Sequence, residues 1–196
     1  MRLPFIEDAA ASGTTAAGLV DAIAALAGDV LAAIPYRGPW TAATLAGLFD
    51  ALAALERPAS LVVNLATRHL WGGRPSAGQV LGYLLDGADG GPPPDWDVGH
   101  FVTVFGRLRG PGGSFYGVAD TYPALGNGGV HLQPAQRLAR AIERRDMPAG
   151  GAIAVTTLDD APAVRQAVAA TGLTEGTWDN GSAMAAGHPQ PGSNPR

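Results

Sequence analysis

The sequence predicts an α+β fold, in which helices pack against a mostly antiparallel sheet. Apolar residues recur at helical spacing in segments such as 40–56, whereas β-branched apolar runs such as 59–67 are typical of buried strands. The helices and one early strand come first, and mostly hairpin-like strands follow. That order favours a mostly antiparallel sheet with helices packed against it, rather than a parallel sheet whose strands alternate with helices along the chain.

Five segments are predicted as helices from apolar residues three or four positions apart and from capping residues at their starts. Ser12 or Thr14 can cap the first helix, Thr41 the second, and Asp159 or Asp160 the last. The predicted helices are 12–29, 40–56, 77–87, 133–146 and 159–172.

Five segments are predicted as strands because they are short, apolar and rich in β-branched or aromatic residues. The sequence GPGG at 110–113 is a turn signal between two of them, which predicts an antiparallel hairpin. The predicted strands are 30–36, 59–67, 99–109, 114–122 and 151–158.

The composition is that of one globular domain. The chain has 196 residues, of which 46% are hydrophobic and 15% charged, and a chain of this length buries about 70% of its unfolded surface. We place the domain at 1–182. The small, polar and proline-rich segment 183–196 is predicted to be a disordered tail.

Several classes of function are excluded by residue content. The net charge of −4 and the scattered basic residues do not predict nucleic-acid binding, and RLARAIERR (137–145) reads as the solvated face of a helix. All basic residues are arginine, so a lysine-dependent phosphate loop is excluded; with the abundant Ala, Gly and Pro, this usage also indicates a bacterial source. The absence of cysteine excludes disulfides, thiolate metal sites and a cysteine nucleophile.

The sequence predicts neither a membrane span nor export. No run of 18 apolar residues occurs, and the start, MRLPFIEDAAASG, is too short and too acidic for a secretion signal. We therefore expect a cytoplasmic protein.

The stretch DVGHFVTVFG (97–106) opens a strand on His100. Facing residues of an antiparallel hairpin have a constant index sum. A turn centred on 110–112 gives a sum of about 220–224 and places residues 120–124 opposite His100. Residue 120 is Asp. A carboxylate there can orient the imidazole, as in a nucleophile–His–Asp triad, or the two can form an ordinary surface pair. His100 and Asp120 are our candidate catalytic residues.

Other candidates carry weaker patterns. Asp95, Asp97 and His100 could bind a metal, but their spacing in a loop is poor evidence for a site, and we predict no metal and no cofactor. Trp71 and Trp178, each near glycine, fit either a lid over a cleft or core packing. His69, His131 and His188 read as ordinary polar residues.

One part of the chain resembles the histidine and aspartate blocks of papain-like cysteine peptidases, in particular the bacteriocin-processing group. It consists of GHFVTVFG (99–106), a turn, and FYGVADTYP (115–123). The similarity covers about residues 12–158. It implies a papain-like fold, acyl-transfer chemistry with His100 as the base and Asp120 as its orienting partner, and a peptide or protein substrate.

This chain departs from the family where the nucleophile belongs, because the family has a Cys-Gly at a helix start and an earlier glutamine. Two explanations are open. The chain lacks the segment that carries the nucleophile, or Ser12–Gly13 stands in its place, in which case the serine hydroxyl is a weak nucleophile or merely a helix cap.

The sequence therefore predicts a relative of cysteine peptidases or amide-processing enzymes that is inactive as this chain, either truncated or a pseudo-enzyme. The alternative is a peptide-binding or structural interaction domain without catalysis, in which His100 and Asp120 are incidental.

Overall fold

The computed structural model describes residues 13–57, 59–94 and 96–182. Within these ranges the chain forms an α+β fold with five helices, as the sequence predicts, and one sheet of seven strands, two more than the sequence predicts. The predicted tail 183–196, Ser12 and Asp95 lie outside the described residues. No described helix has the length and hydropathy needed to cross a membrane.

The helices begin near the predicted positions. Thr41 and Ser76 each form a reciprocal capping box with the residue three positions later, while Thr15, rather than Ser12 or Thr14, caps the first helix. The helices are α1 (Ala16–Ala27), α2 (Ala42–Ala53), α3 (Ala77–Asp86), α4 (Ala135–Glu143) and α5 (Ala161–Ala169), with a short 3-10 turn at Thr67–His69.

All neighbouring strands of the sheet are antiparallel, in the order β5-β4-β3-β2-β6-β1-β7. The strands are β1 (Leu31–Arg37), β2 (Ser60–Ala66), β3 (Gly99–Arg109), β4 (Ser114–Ala119), β5 (Val130–Pro134), β6 (Gly151–Thr157) and β7 (Thr174–Glu175). The late strand β6 therefore lies between the two early strands β1 and β2.

One predicted helix is wrong at its start. Residues 133–146 are not helical throughout, because Gln133 and Pro134 end strand β5 and α4 begins at Ala135. Strand β5 escapes the pattern because the positions it buries are largely polar: His131 and Gln133 are buried, whereas Val130 is exposed. An apolar period of two is therefore absent from this strand.

The sheet is apolar on both faces, since alternate residues of its strands join two different clusters. Helices α2, α4 and α5 cover one face with a cluster that includes Ile34, Leu61 and Val63. Helix α1 covers the other face, where Ala16 packs with Ile153. Both faces of the central strands are thus buried, which fixes their register.

Candidate functional site

The candidate site lies at the end of the sheet where β3 begins and β4 ends. Val104 pairs with Val118 and Thr103 with Ala119, a register within the range predicted for the hairpin. His100 is the second residue of β3, and Asp120 directly follows β4. The structure brings the two together, with 2.9 Å between His100 Nε2 and Asp120 Oδ1.

The Asp120 carboxylate is enclosed and partly satisfied by backbone. Its side chain is 1% exposed, and Oδ1 also accepts a hydrogen bond from the Tyr122 backbone N–H at 2.8 Å. The other oxygen, Oδ2, has no hydrogen-bond partner and lies 3.8 Å from Nε2 of His131. Asp120 therefore lies between two imidazoles and contacts one of them closely.

The tautomer of His131 follows from the side-chain amide of Gln133, which contacts the imidazole. Gln133 Oε1 accepts from the Trp71 backbone N–H at 2.7 Å, and Gln133 Nε2 donates to the Trp71 carbonyl at 2.9 Å. Nε2 of Gln133 also lies 3.0 Å from His131 Nδ1. Because the amide nitrogen must donate, Nδ1 accepts and the His131 proton lies on Nε2, facing Asp120.

Burial favours the neutral form of His131. Its side chain is 5% exposed, and desolvation lowers the pKa of its imidazole below the ordinary value, a shift that the Asp120 charge opposes without reversing. Neutral His131 contributes a dipole, not a second positive charge, beside Asp120.

The lowered pKa of His131 predicts an acid-side loss of stability. As pH falls below about 6.5, the unfolded chain binds a proton at His131 that the folded chain does not, so the free energy of unfolding decreases by up to about 1.4 kcal/mol per pH unit until the folded pKa is reached. Urea unfolding at pH 7.5 and 5.5 measures the decrease. We expect His131→Asn, which retains an acceptor for Gln133, to show a smaller decrease; an equal one would contradict the assignment.

The His100 ring lies between aromatic neighbours and retains one available nitrogen. Its centroid is 5.4 Å from that of Trp96 and 5.0 Å from that of Tyr122, and the latter two rings are 4.8 Å apart. An ionised Asp120 can only accept, so Nε2 of His100 carries the proton that it donates. Neutral His100 thus leaves Nδ1 as an acceptor, the form a general base needs.

A cavity of about 1240 Å³ adjoins this pair. The described part of its lining includes His100, Trp96 and Tyr122, together with Gly13, which follows Ser12, the residue that takes the nucleophile position in only one of the two explanations given above. The cavity also reaches Arg144, which is 2% exposed. The cleft is large enough for a ligand of several residues.

The buried Arg144 corrects the interpretation of RLARAIERR as a solvated helix face. Arg145 has a side chain that is 87% exposed, as expected, but α4 ends at Glu143 and the backbone of Arg144 turns to φ +48°. The guanidinium then points inward, where it donates to Asn64 Oδ1 and to the Asn180 carbonyl.

The alternative metal interpretation gains no support from the described residues. The carboxylate of Asp97 pairs with Arg68 at 3.1 Å, and His100 binds Asp120 instead. No group of three His, Asp or Glu side chains suited to a metal occurs within the described ranges.

The two tryptophans singled out in the sequence are buried. Trp71 packs against Tyr83 and Phe115, and its backbone holds Gln133. Trp178 packs beside Ile153 on the α1 face of the sheet. Trp71 therefore supports the site indirectly, whereas Trp96 is the tryptophan that contacts His100.

The structure adds residues to the site that sequence reasoning does not identify, among them Trp96, Tyr122, His131, Arg144 and Asn180. The sequence pattern indicates an ordinary polar residue at His131 and a solvated face at Arg144, and it predicts no role for Asn180. A signal is present for His131, because His131 and Gln133 alternate with Leu132 directly after the loop that follows Asp120.

Comparison with known proteins gives one assignment. Residues 1–179 match a family described as Family of unknown function (DUF6885), and the chain belongs to that family. No curated protein and no solved structure matches the chain significantly.

Proposed function

We propose that the domain is papain-like and that its cavity is a peptide- or amide-binding cleft, with His100 as the acid–base group and Asp120 as its orienting partner. The observation that carries the proposal is the 2.9 Å contact between His100 Nε2 and the buried Asp120 carboxylate at the cavity wall. A carboxylate so placed fixes the imidazole tautomer and stabilises the imidazolium.

The chemistry available to this chain is limited by its nucleophiles. It contains no cysteine, and serine near an imidazole needs further activation to attack an amide. We therefore propose that the cleft of this chain binds an amide or peptide without forming a thioester. Tyr122 and Trp96 would flank the bound group, since both rings contact His100 and line the cavity.

The proposal is tested by introducing a thiol beside Gly13, which lines the same cavity as His100. Ser12 and Thr14 flank Gly13, and both Gly13 and Thr14 line the cavity. A thiol within reach of His100 ionises more readily, because imidazolium lowers the pKa of a neighbouring thiol. We expect Ser12→Cys or Thr14→Cys to react with iodoacetamide at pH 6 at least about tenfold faster than a solvated thiol.

The chain offers a matched control, since any introduced thiol is the only one present. Ser60→Cys places it at an exposed position of β2. Adding His100→Ala to the faster variant should return its rate to that of Ser60→Cys. If neither variant reacts faster than Ser60→Cys, His100 does not act as a base toward this segment, and the alternative of a non-catalytic interaction domain is favoured.

A further inference from the structure

Arg144 is a buried cation without a counter-ion among the described residues. The ion pairs those residues form involve other arginines and the histidines. The carboxylate of Asp146, two residues away, pairs with Arg68 at 3.0 Å and lies 3.4 Å from His69. Burying a charge without a counter-ion destabilises a fold, so the burial of Arg144 requires an explanation.

The guanidinium has donors to spare. Of its five N–H groups, one binds Asn64 Oδ1 and another the Asn180 carbonyl at 3.3 Å, while Nε has no partner. Both contacts are to neutral groups, which orient the guanidinium without neutralising it. Desolvation and the nearby Arg68 charge lower the pKa of Arg144 from its ordinary value, and the Asp146 charge opposes this shift without reversing it.

The local backbone is arranged around this side chain. Arg144 is the one non-glycine residue with positive φ in the described ranges, at a helix end where glycine or asparagine is usual. Two glycines leave room for it: a Cβ on Gly99 would lie 3.2 Å from Nη2, and one on Gly150 would lie 3.0 Å from Cδ. Backbone strain of this kind is concentrated at binding and catalytic sites.

We propose that Arg144 binds a carboxylate of the ligand, so that the cavity takes peptides bearing a free carboxylate next to the group that faces His100. This inference rests on the proposed use of the cavity as a ligand-binding cleft. Arg144 and His100 line the same cavity, and Gly99, which adjoins the guanidinium, directly precedes His100. A carboxylate would accept from the free donors and supply the missing negative charge.

The test compares three probes by NMR titration of the whole chain: N-acetyl-Ala-Ala as free acid, the same peptide as its C-terminal amide, and N-acetyl-Asp-Ala amide. We expect the free acid to bind wild type about tenfold or more tightly than the amide, as a charged hydrogen bond implies. The third probe distinguishes the source of the carboxylate: binding tighter than that of the free acid would assign the site to an acidic side chain, weaker binding to a peptide C terminus, and equal binding to a carboxylate of either source.

Variants separate charge recognition from a structural role. Arg144→Gln should abolish the preference for the acid, and Arg145→Gln, which removes the same charge from an exposed neighbour, should keep it. Arg144→Asn, with a residue that tolerates positive φ, gives a second uncharged variant if the first does not fold. Equal affinity of wild type for acid and amide, or no binding of any probe, would overturn the inference.

The experiments can contradict the proposed role of His100 and the proposed carboxylate site at Arg144 independently of each other. If the thiols at positions 12 and 14 are activated but acid and amide bind equally, the role of His100 stands and the anion site does not. If the thiols are not activated but the acid binds through Arg144, the cavity is a carboxylate-binding cleft without an acid–base role for His100.

Discussion

Replacing Asp120 by alanine is expected to lower the free energy of unfolding by about 3 kcal/mol, because a buried carboxylate that accepts hydrogen bonds from an imidazole and from the backbone is removed. The change leaves the Tyr122 backbone N–H and the His100 Nε2–H without their acceptor. It also removes the negative charge that faces His131. Urea unfolding at pH 7.5 measures the loss.

The matched controls for this substitution are Asp97→Ala and Asp120→Asn. Asp97 is 59% exposed and pairs with Arg68, so its loss should cost less than about 1 kcal/mol. Asp120→Asn retains an oxygen that can accept from the Tyr122 N–H and should fall between the two alanine variants. If Asp120→Ala costs no more than Asp97→Ala, the buried pair contributes nothing to folding.

Replacing Gly150 by alanine is expected to cost about 3 kcal/mol or more, at the upper end of what overpacking a core costs. A Cβ at this position would lie 2.3 Å from the Ile142 carbonyl oxygen and 2.4 Å from that of Asn64. Both obstacles are backbone, so neither can rotate away. Since Gly150 also adjoins the Arg144 side chain, the same substitution should weaken binding at the cavity.

Gly106→Ala is the control, because nothing lies within 4 Å of the Cβ position there. Gly106 follows the bulge in β3, and its replacement should change the free energy of unfolding by less than about 1 kcal/mol. Thermal and urea unfolding of both variants measure the difference. Similar losses at the two positions would show that the packing around Gly150 adapts, contrary to the expectation.

The local part of the site is predictable from the sequence, and the non-local part is not. His100 and Asp120 belong to one hairpin, whose register follows from its turn and from the alternating Val102 and Val104. Arg144 illustrates the opposite case. Its position in a run of charged residues indicates solvent exposure, and only the end of α4 at Glu143 turns its side chain inward.

The same distinction between local and non-local features explains which parts of the fold can be predicted from the sequence. Helices and strands with an apolar period lie at nearly the predicted positions, whereas β5 escapes prediction because its buried side chains are polar and β7 because it has two residues. The strand order depends on pairings between distant segments, which no local pattern specifies. The resemblance to papain-like peptidases remains a prediction.

The position of β6 has a consequence for how the chain folds. Leu31 of β1 pairs with Thr157 of β6, and β6 also separates β1 from β2. During synthesis, the first two strands therefore remain without their common neighbour until residues 151–157 have left the ribosome. Pairings between such distant residues slow folding. We expect the cavity to form in the last stage, since Asn180 must return to the Thr14 carbonyl.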